Sequence, residues 1–130
     1  MPLSPQVAWI SDEKIARIVT AGFAYETVME ALLVHASGDL VQPPKQVVQP
    51  GGAAGEYERG TLIGMPAYVG GGFQALGAKL ITGFPVNVTR GIPRASGVIV
   101  LFDTTTGVPV AILDCRTISA RGTAAIASIC

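Results

Sequence analysis

One lysine stands in an otherwise apolar segment of the sequence. Residues 75–84 read ALGAKLITGF, so Lys79 places a charge in a stretch typical of a buried strand. Moving an unpaired ammonium out of water costs several kcal/mol. Such a lysine usually binds an anionic ligand, pairs with a carboxylate or extends to water, and the residues around it leave all three open.

The other residue types that commonly carry chemistry form no set with a usable spacing. His35 is the single histidine and falls in the last turn of a predicted helix, where a cation favours the helix dipole, so we interpret it as structural. Cys115 and Cys130 form no CxxC or metal-ligand pair, and we interpret both as reduced thiols. The sequence predicts neither a metal site nor a Ser/His/Asp triad.

A glycine-rich segment imitates a dinucleotide-binding motif. Residues 70–75, GGGFQA, satisfy the G-x-G-x-x-A pattern. That motif requires a helix that begins at the glycines and an acid about 20 residues later. Gly77, Gly83 and Pro85 interrupt the following segment and the next acid is Asp103, so we expect a loop between strands.

Composition limits the function classes. The chain has 130 residues, of which 49% are hydrophobic and 14% charged, so residues 1–130 are expected to form a single domain. Nine basic residues balance nine acids and no basic stripe occurs, so we expect no nucleic-acid partner. No apolar run approaches the ~18 residues of a membrane span and no leader pattern is visible, so we expect no membrane association and a cytoplasmic location.

Helical patterns occupy the first part of the chain and its end. Ser11 is suited to cap a first helix that Gly22 is predicted to end, and a second helix follows, with Gly38 as its C-terminal cap. Residues 116–130 are rich in alanine and predict a third helix, for which Thr117 or Ser119 is the expected N-cap.

Strand patterns fill the region between these helices. Segments with β-branched residues, separated by Gly and Pro, predict strands at residues 46–48, 61–63, 79–81 and 98–102. Residues 97–102 and 108–113 flank a turn at residues 103–107 and predict an antiparallel hairpin, with Pro109 near a strand start. The expected class is α+β: two N-terminal helices packed on a mixed, largely antiparallel sheet of about five or six strands, with a C-terminal helix.

Several segments resemble, in order, the ornithine cyclodeaminase and mu-crystallin family. They are WISDE at residues 9–13, QPPK at 42–45, MPAY at 65–68, GAK at 77–79, GFPVN at 83–87, the turn at 103–109, and ISA with TAA at 118–125. The resemblance covers nearly the whole chain. It implies a substrate-binding and dimerisation domain, which in longer family members is followed by a Rossmann domain that binds NAD or NADP. That second domain is not expected in this chain, so we expect no cofactor here.

The resemblance also suggests which residues contact a substrate. Lys79, Lys45 and Met65 match positions that bind an amino or imino acid, with Lys79 beside its carboxylate. Lys45 replaces an arginine found in many members, so the bidentate contact that a guanidinium makes with a carboxylate is lost. The family Arg-Thr-Ala-Ala becomes GTAA at residues 122–125, with Arg121 one position early. One position on a helix turns a side chain by about 100°, so we expect Arg121 to point away from the site.

Two functions remain after this comparison. The first is a non-catalytic module that forms a homodimer or larger homo-oligomer through its sheet and binds a small amino or keto acid at Lys79. The second is a fragment or partner subunit of an NAD(P)-dependent amino-acid cyclodeaminase, dehydrogenase or imine reductase. In both functions, Lys79 contributes to the substrate-binding site.

Overall fold

A single mixed sheet forms the centre of the structure, which is a computed structural model describing residues 6–50 and 60–130. Its strands are β1 (Ala8–Ile10), β2 (Leu40–Val41), β3 (Gln46–Val48), β4 (Thr61–Val69), β5 (Ala75–Gly83), β6 (Ala95–Phe102) and β7 (Pro109–Asp114). The order is β1-β7-β6-β5-β4-β2, and β3 also pairs with β4. β1 runs parallel to β7, whereas the other pairs are antiparallel. The predicted mixed, largely antiparallel sheet is therefore confirmed.

The number of strands differs from the prediction. The described residues contribute seven strands to the sheet instead of about five or six. β1 and β2 have only three and two residues, too few to produce a readable period-two pattern. β1 and β2 are recognisable as strands only because they pair with the longer strands β7 and β4.

The described residues also form three α-helices, α1 (Asp12–Ile18), α2 (Ala21–Ser37) and α3 (Arg116–Ile129), and a short 3-10 helix at Pro85–Arg90 between β5 and β6. α3 packs against α1, α2 and β6, while α1 also contacts β7 and α2 contacts β2 and β4. The predicted caps Ser11 and Gly38 are confirmed, since the Ser11 hydroxyl accepts from the Lys14 amide and Gly38 has φ of 87°. None of the helices in the described ranges has the length and apolar character that crossing a membrane requires.

The predicted end of the first helix was wrong. α1 ends at Ile18, and Gly22 lies inside the first turn of α2. The Thr20 hydroxyl accepts a hydrogen bond from the Phe23 amide at 3.2 Å and caps the new helix. A side-chain cap thus starts α2 two residues before the glycine that was expected to separate the helices.

The N-terminus of α3 is capped by two carboxylates, not by Thr117 or Ser119 as predicted. Asp114 accepts a hydrogen bond from the Arg116 amide and Asp12 accepts one from the Thr117 amide, each at 2.9 Å. The Thr117 amide and hydroxyl, followed by the nearby Arg116 guanidinium, hold the pKa of Asp12 below its usual value. Asp12 therefore joins the start of α1 to the start of α3.

The predicted hairpin of β6 and β7 is confirmed. Asp103 accepts hydrogen bonds from the Thr105 and Thr106 amides at 2.9 and 2.7 Å, which closes the turn. These contacts, led by the one from Thr106, lower the pKa of Asp103. Pro109 is the first residue of β7, where its missing amide proton costs little.

The two faces of the sheet have different surroundings. Met65, Lys79 and Ile99 lie side by side on β4, β5 and β6, on the side covered by α3, which we term the helix face. The alternate residues, including Leu62, Leu76 and Leu80, lie on the opposite side, which we term the open face. These three leucines are 36–43% exposed. The most buried hydrophobic residues of the described chain are in the helices and their caps: Ile15, Ala24, Val34, Cys115 and Ala125.

Candidate functional site

Lys79 lies at the middle of β5, half-buried between the sheet and α3. Its register partners are Met65 on β4 and Ile99 on β6. Its Nζ donates to the Ser119 hydroxyl at 3.4 Å. No carboxylate of residues 6–50 or 60–130 lies within 4 Å of this ammonium. Within those ranges the charge therefore has a neutral hydroxyl as its partner and retains capacity to bind an anion.

Two cavities meet at Lys79. One, of about 290 Å³, lies between the sheet and the helices and includes Ile99, Ser119 and Gly122 in its wall. The other, of about 220 Å³, extends along the helix face over Met65 and Ala67. Lys79 and Ile99 line both, so the ammonium is the cation at the junction of two mostly apolar spaces.

The three residues expected to contact a substrate are only partly brought together. Met65 and Lys79 are adjacent on the helix face and line the same cavity. Lys45 is exposed and lines neither cavity beside Lys79. It precedes β3, whose first residue pairs with Gly64, so continuing that register by one residue brings Lys45 opposite Met65. Lys45 thus approaches the site from its rim.

Arg121 points away from the cavity beside Lys79 and Gly122 lines it, as the one-residue shift in the sequence predicts. Arg121 donates to the backbone carbonyls of Ala16, at 3.0 Å, and of Val19, so its guanidinium is held at the end of α1. Gly122 lines the larger cavity beside Lys79, and a Cβ placed on it would have no atom within 4 Å. At position 122 the wall of this cavity therefore has no side chain and has room for one.

A model of the ornithine cyclodeaminase/mu-crystallin family matches residues 10–130. The chain belongs to this family. It is 36% identical over 105 residues to the N-((2S)-2-amino-2-carboxyethyl)-L-glutamate dehydrogenase of Staphylococcus aureus, a match covering 80% of this chain and 31% of that protein.

Solved structures of family members have the same fold. The Δ1-pyrroline-2-carboxylate reductase of Thermococcus litoralis, in complex with NADH and L-proline, superposes with a TM-score of 0.84 at 25% identity, over 93% of this chain and 36% of that one. An archaeal alanine dehydrogenase dimer with bound NAD gives a TM-score of 0.81 at 25% identity, over 92% and 34%. The chain spans about a third of the length of the curated relatives it matches.

The described residues of this family member do not fit a dinucleotide at their glycine-rich segment. Gly70, Gly71 and Gly72 lie in the turn between antiparallel β4 and β5, and no helix begins there. The Asp39 carboxylate accepts from the Gly71 amide at 2.8 Å and sits against Gly70. A pyrophosphate would meet that negative charge, so the loop predicted from the sequence is confirmed and a cofactor role for this segment is not supported.

The remaining sequence candidates line neither cavity beside Lys79. His35 is exposed in the last turn of α2. Cys115 is buried beneath α3 and Cys130 is exposed, and both are free thiols. Sequence reasoning considered Ser119 only as a helix cap and missed it as the partner of Lys79. Its position three and four residues before Gly122 and Thr123, on one helical face, was the available signal.

Proposed function

We propose that this chain is a carboxylate-binding and self-associating module of the ornithine cyclodeaminase/mu-crystallin family. Its ligand is a small amino or keto acid whose carboxylate contacts Lys79. The observation that carries the proposal is the half-buried Lys79 ammonium at the junction of two cavities, with the Ser119 hydroxyl as its partner. Met65 forms part of the cavity wall, and Lys45 adds a cation at the rim.

The strength of this site follows from its charges. A carboxylate would replace a neutral hydroxyl as the main partner of Lys79, and a charged hydrogen bond contributes about 1.5–3 kcal/mol. Without a guanidinium at position 122, one ammonium must hold the anion as a point charge, and no planar two-pronged contact forms there. We therefore expect millimolar affinity, roughly 4 kcal/mol of binding free energy.

Self-association rests on the open face of the sheet. Leu62 on β4 and Leu76 and Leu80 on β5 are exposed at separate positions along this face, and Val98 on β6 is the register partner of Leu80. Exposed apolar side chains on one face of a sheet are often covered by a partner. A second copy of the chain is the occupant we propose, supported by the archaeal alanine dehydrogenase, whose structure is described as a dimer. Pairing of two such sheets would also shield their edges.

A second function is favoured by the activities named for the relatives. Four of the curated relatives are named dehydrogenases or reductases, and three of the matching structures contain NADH or NAD. In that alternative, the Lys79 site holds an amino or imino acid while a dinucleotide-binding unit supplies the redox cofactor. The two functions share the carboxylate site and differ in whether a dinucleotide-binding unit acts together with it. Under either function we propose that the 130-residue polypeptide alone does not bind NADH.

A calorimetric titration with pyruvate tests the proposal. The Lys79→Met variant should lose at least about tenfold in affinity, since the charged contact disappears. Lys45→Met, the matched loss of a cation, should change affinity by less than about threefold because an exposed charge is screened. Gly122→Arg should strengthen binding by about tenfold through a bidentate contact. Equal affinities for wild type and Lys79→Met would overturn the proposal. Micromolar NADH binding to the 130-residue polypeptide would overturn the expectation that it holds no cofactor.

A further inference from the structure

The cavity beside Lys79 shares part of its wall with a second, apolar cavity between the helices. This second cavity has a volume of about 190 Å³. The two cavities have three wall residues in common: Val28, Ile118 and Gly122. Gly122 carries no side chain, and a Cβ placed on it would meet no atom within 4 Å, so no side chain at position 122 separates the two cavities. We term the combined space the α2–α3 trough.

The two ends of the α2–α3 trough differ in chemistry. At one end stand the Lys79 ammonium and the Ser119 hydroxyl. The other end is lined by Val19, Phe23, Ala24 and Thr27, whose side chains are apolar apart from one hydroxyl. Phe23 is 50% exposed and Ala24 is buried, so this end has a closed floor and an open rim. A trough with a cation at one end and an apolar channel at the other matches an amphiphilic anion.

We propose that the α2–α3 trough binds a monocarboxylate with an unbranched apolar tail. The carboxylate contacts Lys79, and the tail crosses Gly122 to lie against Phe23. This assignment rests on carboxylate binding at Lys79 and adds the class of ligand. A methylene group occupies roughly the volume of a water molecule, about 30 Å³, so the apolar end holds about six of them. Octanoate is therefore a ligand of suitable length.

Gly122 determines this specificity. A longer side chain at position 122 would fill the passage that joins the two ends, and an arginine there would also add a cation beside Lys79. The glycine thus removes a carboxylate contact and at the same time opens space for a tail. The binding energy lost at the polar end is offset by burial of methylene groups at the apolar end.

Calorimetric titration of the 130-residue chain with butanoate, octanoate and octan-1-ol tests the proposal. A fully buried methylene strengthens binding roughly fourfold, so four more methylenes in a half-open trough should give octanoate at least about a tenfold advantage over butanoate. Octan-1-ol has the tail without the charge and should bind at least about tenfold more weakly than octanoate. Lys79→Met should weaken octanoate binding to the level of the alcohol.

Two matched variants locate the tail. Phe23→Ser removes an apolar wall of the trough, whereas Tyr25→Ser removes an equally exposed aromatic ring of α2 that lines neither cavity. The ratio of octanoate to butanoate affinity should fall toward one in Phe23→Ser and persist in Tyr25→Ser, with circular dichroism verifying that both fold. Equal affinities for butanoate and octanoate in the wild type would overturn this inference and leave the Lys79 site intact. If neither carboxylate binds, or if Lys79→Met binds both unchanged, the proposed function fails together with the inference.

Discussion

The guanidinium of Arg121 donates a hydrogen bond of 3.0 Å to the carbonyl oxygen of Ala16, and a second to that of Val19. These carbonyls belong to the last turn of α1 and the residue after it, where helix carbonyls lack intrahelical partners. Arg121 therefore caps α1 from α3, and Gly122 lies in the wall of the cavity beside Lys79. A single step along α3 separates a structural arginine from a vacant binding position.

Arg121→Ala should lower stability without affecting ligand binding. The substitution leaves two carbonyl groups of α1 without their charged donor, which should cost about 1–3 kcal/mol of unfolding free energy. Urea denaturation measures this loss, and pyruvate affinity should stay within about twofold of wild type since the guanidinium points away from Lys79. A variant of unchanged stability that no longer binds pyruvate would mean that Arg121 turns into the cavity.

Two glycine-to-alanine substitutions should have opposite effects. At Gly97 a Cβ would press on the Leu80 carbonyl and lie 2.8 Å from Ile81 Cα, so backbone must move and Gly97→Ala should cost at least about 2 kcal/mol. At Gly122 nothing lies within 4 Å, and alanine in a helix should add about 0.5–1 kcal/mol. Thermal denaturation of the two variants tests whether Gly97→Ala lowers and Gly122→Ala raises the stability of the fold. A destabilised Gly122→Ala would show that the space beside Lys79 is smaller than described.

The contact between Asp12 and the Thr117 amide should make stability depend on pH. The pKa of Asp12 is lower in the folded chain than in the unfolded one, so its contribution is fully present above the ordinary aspartate pKa, about 3.9, and is lost as pH falls through the folded value. Asp12→Ala should therefore cost about 1 kcal/mol at pH 7, and the cost should shrink below about pH 4.

Glu13→Ala is the matched control for the pH-dependent contribution of Asp12 to stability. Glu13 pairs with Arg17 at 3.3 Å, but both side chains are more than 70% exposed, so its loss should cost less than about 0.5 kcal/mol at any pH. Urea midpoints between pH 3 and 7 separate the two variants. A cost for Asp12→Ala that does not change with pH would mean that the carboxylate charge contributes nothing.

Local chemistry made much of this fold predictable. Ser11 and Gly38 act where their capping preferences indicate, and the turn at Asp103 follows from its acceptor geometry. The end of α1 and the cap of α3 were not predictable in the same way. The α3 cap depends on Asp12, which is 105 positions away from Thr117 in the chain, and only the packed fold brings the two together.

The site was predictable in part for a similar reason. Lys79 could be identified because a charge inside an apolar strand stands out locally, and the shift of Arg121 followed from helix geometry. Ser119 gave no comparable signal, since a serine near a helix start is usually a cap. Its bond to Lys79 depends on how α3 crosses the sheet, and the opening of the trough depends on what is missing at Gly122.

Leu80→Glu should abolish the proposed self-association and leave a monomer. Leu80 is 43% exposed on the open face, and burying a carboxylate between two sheets without a partner is strongly unfavourable. Leu33→Glu, on the surface of α2 at 68% exposure, is the matched control and should remain associated. Sedimentation velocity at micromolar concentration distinguishes the two. A wild-type chain that sediments as a monomer would contradict the proposed interface.

The central claim is that a carboxylate binds at Lys79, and nuclear magnetic resonance of the lysine side chains tests it most directly. The chain has three lysines, Lys14, Lys45 and Lys79, so ¹³C-labelled lysine gives three side-chain Cε signals that single Lys→Arg substitutions assign. On addition of pyruvate, the Lys79 signal should shift saturably, Lys45 should shift little and Lys14 should not move. A Lys79 signal that stays unchanged up to millimolar pyruvate, or moves only as much as that of Lys14, would contradict the account.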